Sequence, residues 1–257
     1  MMISDGSYGE AFVWIWLPGE TGPVVAGKLT ADNDQLFFNY GKSYLARDNA
    51  IALYDPELPL RSGAIPLLPG LSMPACIRDA SPDAWGRRVI INRKLGVKGA
   101  ETDTRQLDEL TYLLESASDR IGALDFQRSA TAYEPREPGN ASLEELVHAA
   151  DLIERGLPLG PELYQALRHG TSIGGARPKA QIDEENKKYI AKFSSATDLY
   201  SVVKAEVIAM RLAALAGLNV ATVSLTSSLQ KDVLLIERFD RVHTEKKKKK
   251  KAMVSGL

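Results

Sequence analysis

GTSIGGARPK, residues 170–179, opens the part of the chain whose reading decides the fold. Gly174 and Gly175 allow the backbone to approach a ligand closely and to aim amide N–H groups at an anion, and Arg177 and Lys179 add positive charge. A strand is expected near residues 179–182, a turn at DEEN (183–186) and a second strand at YIAKF, 189–193. A helix then runs from about 199 to 216 and closes at Gly217, a residue suited to the position just past a helix end. Two more strands follow near 221–225 and 233–238. This order predicts that residues 171–240 form a twisted antiparallel sheet with one helix packed on a face.

Two charged residues give that unit a chemical direction. Lys192 sits in a strand after the Gly-rich hairpin, from where a lysine can reach the α- and β-phosphates of a nucleotide. Glu206 lies early in the following helix, VVKAEVIAMRLAALAGL (202–218), and can pair with Lys192 to fix it. Those are the parts of the N-lobe of a protein kinase. Singly, each has an ordinary reading: a Gly-Gly turn, a solvated strand lysine, a surface glutamate. Their order and spacing together point to nucleotide binding. The GxxxxGK[ST] pattern is absent, which disfavours an ordinary P-loop NTPase.

Toward the N-terminus the chain reads as strands: FVWIWL (12–17), VVAGKLT (24–30) and QLFFNY (35–40), separated by PGETGP and Asp-Asn-Asp turn chemistry. Residues 56–74 are Pro- and Gly-rich and read as loop. SPDAWGRRVIINRKL (81–95) opens with a serine and a proline, a helix start, and places Trp85, Val89, Ile90 and Leu95 on or near one face. LDELTYLL (107–114) is a second helix, and 121–127 a short strand. SLEE at 142–145 is a capping box for a helix to about Arg155, and another helix is expected over 161–167. The fold class is therefore α+β. Residues 1–127 form a β-rich N-terminal subdomain with helices, 128–170 a helical connector, 171–240 the kinase-like N-lobe and 241–257 a tail.

Composition narrows the function classes. The 257 residues carry a formal charge of -1, which argues against a dedicated nucleic-acid binder. A single cysteine, Cys76, excludes an internal disulfide and multi-cysteine metal sites and fits a cytoplasmic location. No apolar run is long enough to span a bilayer, and the first residues do not read as a signal peptide. His148, His169 and His243 lack metal-ligand spacing. Trp14, Trp16 and Trp85 read as core anchors; Asp83, Arg87 and Arg88 read as surface or inter-subdomain contacts with no chemistry assigned.

TSIGGARPKA (171–180), YIAKF, LLIERFDR (234–241) and SPDAWGRRVI (81–90) together resemble the HipA family of serine/threonine kinases, toxin components of bacterial toxin–antitoxin modules. The resemblance implies ATP as cofactor with Mg²⁺, and Ser172 as the loop serine that such kinases autophosphorylate, ejecting the loop. It implies that Ile173, Gly174, Gly175, Ala176 and Lys179 belong to the phosphate-covering loop and that Lys192 contacts ATP with Glu206 as its ion-pair partner. Glu237 and Phe239 would lie where the backbone meets adenine. It further implies a five-stranded ATP-binding sheet, a protein serine as substrate and a HipB-like helix-turn-helix antitoxin as partner. DNA would then be reached only through the antitoxin, with no membrane involvement.

The end of the sequence departs from the family. Only 17 residues follow Asp240, and they carry nothing like a catalytic-base aspartate or metal-binding residues. No catalytic residue and no metal ligand is therefore assigned, and the C-lobe is expected to be missing. Residues 246–251 are six consecutive lysines, expected as an aberrant low-complexity tail left by a frameshift at an A-rich codon tract. The expected product lacks phosphoryl transfer. The alternative is a non-catalytic interaction module that binds an antitoxin or a separately encoded kinase core.

Overall fold

The computed structural model describes residues 8–96, 103–136, 141–184, 187–244 and 247–255. Three aromatic and β-branched strands start the chain: β1 (Glu10–Ile15), β2 (Val24–Asp32) and β3 (Gln35–Tyr40). In β3 the alternation is regular, with Leu36, Phe38 and Tyr40 buried and their neighbours outside, as a half-buried strand requires. The β2–β3 turn places Asn33 at φ 53°, a conformation asparagine tolerates. Helices α1 (Lys42–Leu45), α2 (Ala75–Asp79), α3 (Ala84–Leu95) and α4 (Glu109–Glu115) come next, then β4 (Leu124–Gln127). The four strands form one antiparallel sheet in the order β3-β2-β1-β4. Its core gathers Val13, Ile15, Leu29, Phe38, Leu113 and Phe126. The strand expected over 121–127 is only its last four residues.

α5 (Leu143–Glu154) begins with the expected capping box, Ser142 and Glu145 bonding each other's backbone N–H, and α6 (Pro161–Leu167) begins with its proline. Both helices pack with α3 around Trp85, Val89, Leu146, Ala150 and Leu167. α3 thus lies early in the chain yet belongs to the second core.

That second core is closed by an antiparallel sheet of β5 (Lys179–Glu184), β6 (Lys187–Phe193), β7 (Val223–Ser228) and β8 (Lys231–Glu237), in the order β5-β6-β8-β7. Glu185 and Asn186 of the expected DEEN turn lie outside the described residues. The sheet has two covered faces, and the two-residue period assigns them. Ala180, Ala191, Phe193 and Val233 face the α3–α5–α6 core. Leu234 and Ile236 face α7 (Val202–Leu215), whose Val203 and Val207 pack there. Lys192, between Ala191 and Phe193, is on the α7 face by the same arithmetic. α7 starts at Val202 rather than 199 because the Ser201 side chain caps it, accepting the Lys204 N–H. Gly217 takes φ +82° just past its end. The described residues show four strands here, against the five implied by the resemblance.

The lysine run is part of the fold. Residues 247–250 form β10 (Lys247–Lys250), paired antiparallel with β9 (Arg241–Thr244), while Lys246 lies outside the described residues. Strand pairing uses the backbone, and long lysine stems can lie along apolar surface. Lys250 Nζ sits 3.5 Å from the centroid of a Trp16 ring and donates to the Ser118 carbonyl at 3.3 Å. Beyond it, Ser255 donates through its amide (2.7 Å) and hydroxyl (2.9 Å) to Asp79. Residues 250 and 255 thus dock the end of the chain on the N-terminal half.

Candidate nucleotide site

The Gly-rich loop is held along its whole length. Thr171 Oγ1 donates to the Arg168 carbonyl at 2.9 Å and accepts the Ala117 N–H at 3.1 Å. Ser172, 2% exposed, donates to the Asp119 carbonyl at 3.1 Å and accepts from Gln181 Nε2 at 3.3 Å. Ile173 is buried. The start of α3 grips the rest: the Trp85 N–H donates to the Gly175 carbonyl (3.3 Å), its indole to the Lys179 carbonyl (2.9 Å), and Arg88 to the Ala176 carbonyl (2.5 Å). The Gly175 N–H donates to the Asp83 carboxylate. Contact is close enough that a Cβ on Gly86 would stand 2.3 Å from the Thr171 carbonyl oxygen. SPDAWGRR is therefore the bed of the loop. Trp85 is the core anchor expected of it, and Asp83 and Arg88 are inter-subdomain contacts, made to the loop.

Under the loop lie two lysines. Lys192 Nζ meets Glu206 Oε1 at 2.5 Å, so strand β6 and helix α7 bring together the pair expected from spacing. Lys179 on β5 is the cross-strand partner of Lys192, which puts both side chains on the α7 face. Lys179 is 2% exposed and its ammonium makes no hydrogen bond. Burial first, and the Lys192 charge second, pull its pKa down to about 8. Gly175 sits directly above at φ +105°, where an added Cβ would be 2.6 Å from Lys179 Nζ. A buried ammonium without a partner beneath a glycine backbone fits the phosphates of a nucleotide. Arg177, by contrast, is spent on Asp198 at 2.5 Å.

Glu237 and Phe239 stand at the far end of β8. The Glu237 carboxylate accepts from Lys187 Nζ at 2.8 Å, its N–H donates to the Thr222 carbonyl, and the Phe239 side chain is exposed. The residues between and after them are structural. Arg238, Asp240 and Arg241 are buried, and Asp240 accepts from both guanidiniums and from the Gly122 N–H at 2.8 Å each. Asp119 takes Arg241 at 2.6 Å and Lys188 at 2.5 Å. Burial opposes ionisation of Asp119, but Arg238, Arg241 and Lys188 hold its carboxyl well below the usual range. Asp240 is thus a member of a buried ion cluster that joins the two halves. Among the described residues no group of three or more His, Cys, Asp or Glu side chains is arranged to hold a metal.

The fold and site define a mixed α+β protein in which a Gly-rich loop, bedded on an N-terminal subdomain, covers a lysine pair on a small antiparallel sheet. Residues 15–127 match the family model of the HipA N-terminal domain, and residues 171–257 that of the HipA-like C-terminal domain. The chain belongs to the HipA family. A solved HipA chain, from the Shewanella oneidensis MR-1 complex of HipA, HipB and operator DNA, shares its fold with a TM-score of 0.53 at 22% identity. The match covers 94% of this chain and 54% of that one, so the chain spans about half its length. A search of curated proteins finds no match. Among the described residues no helix is long and apolar enough to cross a membrane.

Proposed function

We propose that residues 171–240 are the nucleotide-binding half of a HipA-type toxin serine/threonine kinase, and that ATP phosphates lie on Lys179, Lys192 and the amides of residues 173–176. The observation that carries this reading is the Lys192–Glu206 ion pair on the strand beside Lys179, whose unbonded ammonium lies against Gly175 of the Gly-rich loop. Glu206 holds the flexible Lys192 stem in one place, so its ammonium serves as a fixed clamp. Adenine would meet the backbone around Glu237 and Phe239. Ser172 is the loop serine for autophosphorylation; a dianionic phosphate cannot occupy its buried niche against the Asp119 carbonyl, which supports a loop that leaves once modified. Mg²⁺, where bound, would neutralise charge on the phosphates. Among the described residues no group of three or more His, Cys, Asp or Glu side chains is arranged to hold a metal, and we expect the 257-residue polypeptide alone to bind ATP without transferring phosphate to itself or to a protein serine.

A HipB-like antitoxin is the proposed partner, with DNA reached through it. The buried, unbonded Cys76 supports a cytoplasmic location. A second reading, an interaction module for a separately encoded kinase core, is favoured by the outer face of α7, where Ile208, Leu212 and Leu215 are exposed. Titration with a fluorescent ATP analogue tests the binding. Lys192→Ala, which deletes a charge-assisted contact, should weaken it about tenfold or more. Equal affinity in the variant overturns the site. Incubation with radiolabelled ATP and magnesium should leave Ser172 unlabelled; label there, in a preparation free of other kinases, overturns the expectation of no turnover.

A further inference from the structure

Asp83 occupies the N-cap of α3 with extended backbone, the position where an aspartate carboxylate ordinarily accepts the second or third N–H of its own helix. Here it makes no such bond. The carboxylate instead accepts the N–H of Gly175, 92 residues further along the chain. The approach is tight: a Cβ on Gly174 would stand 2.9 Å from the same carboxylate oxygen. Asp83 is also near enough to the buried Lys179 to favour its charged form. A negatively charged oxygen on a Gly-rich-loop amide, close to a lysine ammonium, is the arrangement a phosphate would make.

We propose that Asp83 is a resident anion of the Gly-rich loop: its carboxylate keeps the loop seated when no nucleotide is bound, and an arriving phosphate must displace it. Displacement leaves the carboxylate its ordinary place, the N-terminal amides of α3, so the side chain has two positions and the ligand selects between them. The bonds from Trp85 and Arg88 to loop carbonyls are untouched by the exchange, because carbonyl oxygens do not face an anion. The competition rests on the nucleotide reading of the loop; the seating of the loop does not.

The experiment uses the full chain with Asp83→Ala and the isosteric Asp83→Asn, each checked for a wild-type circular dichroism spectrum. Amide exchange of residues 172–178 without ligand reports the seating. Titration with ATP and with inorganic tripolyphosphate reports the competition. Asp83→Ala should exchange faster at 174–176, and both variants should bind tripolyphosphate and ATP about three- to tenfold more tightly than wild type, since a like charge has left the anion's position. Asn keeps an acceptor, so its exchange should fall between. Unchanged exchange in Asp83→Ala overturns the seating, even with ATP bound normally. Weaker or equal affinity in Asp83→Asn overturns the competition. Faster exchange with no ATP or tripolyphosphate binding in any variant overturns the nucleotide reading and the competition with it, and leaves the seating standing.

Discussion

Lys179 is an ammonium the folded chain must bury without a hydrogen bond, and the cost has a sign that can be measured. Its pKa falls from the ordinary 10.5 to about 8 on folding, so between those values the unfolded chain holds the proton and the folded chain does not. Stability then rises with pH through that window, and the full penalty, of order 3 kcal/mol, is present at neutral pH. Lys179→Met should therefore raise stability at pH 7 and flatten the wild-type rise toward pH 10, while removing affinity for ATP. Urea unfolding of both proteins at pH 7 and 9.5 checks this by difference, which cancels the parallel contribution of Lys250, also pulled down by burial. A variant less stable than wild type at pH 7 would show that the ammonium has a partner in solution. Asp119 also makes stability rise with pH, but as a stabilising group rather than a penalty. Its depressed carboxyl contributes stability above the ordinary carboxylate pKa, lost as pH falls below it. Asp119→Asn should cost about 3 kcal/mol or more at pH 7, through Arg238 and Arg241 left buried, and should blunt acid unfolding below pH 4.

The α3 helix shows the same economy at the scale of an element. Glycine inside a helix ordinarily costs about 1 kcal/mol against alanine, so Gly86→Ala ought to stabilise. The Thr171 carbonyl oxygen leaves a Cβ no space, so the substitution should instead destabilise by about 1–3 kcal/mol and free the loop for exchange. Stabilisation on a urea curve would mean that the loop does not bed on α3 in solution. The elements differ in how legible they were. The Lys192–Glu206 pair could be read because the two residues, on a strand and the helix after it, are 14 residues apart, and the two-residue period fixes the face. The SLEE box and Gly217 are local signals, and both hold. The particular partners of Asp83 and Asp119 could not be read, since they lie 92 and 122 residues away and no period links them. The strand at 247–250 could not be read, because side-chain composition says little about a backbone that pairs with β9.

At the scale of the molecule, a buried charge cluster fastens the two four-stranded sheets and their cores to each other. Asp119, Arg120 and Gly122 from the N-terminal half meet Arg238, Asp240 and Arg241 from the end of β8, all within a few residues of Ser172 and Gln181. Such a fastening makes melting a single event. Neither half can loosen without breaking the buried ion pairs and hydrogen bonds made across the seam, so calorimetry should give one transition with equal calorimetric and van't Hoff enthalpies. Two resolved transitions would contradict it. The protein should also resist being divided: a fragment cut within 128–141 would carry half of a charge cluster on a newly wetted face, and neither piece should refold with the thermal stability of the whole.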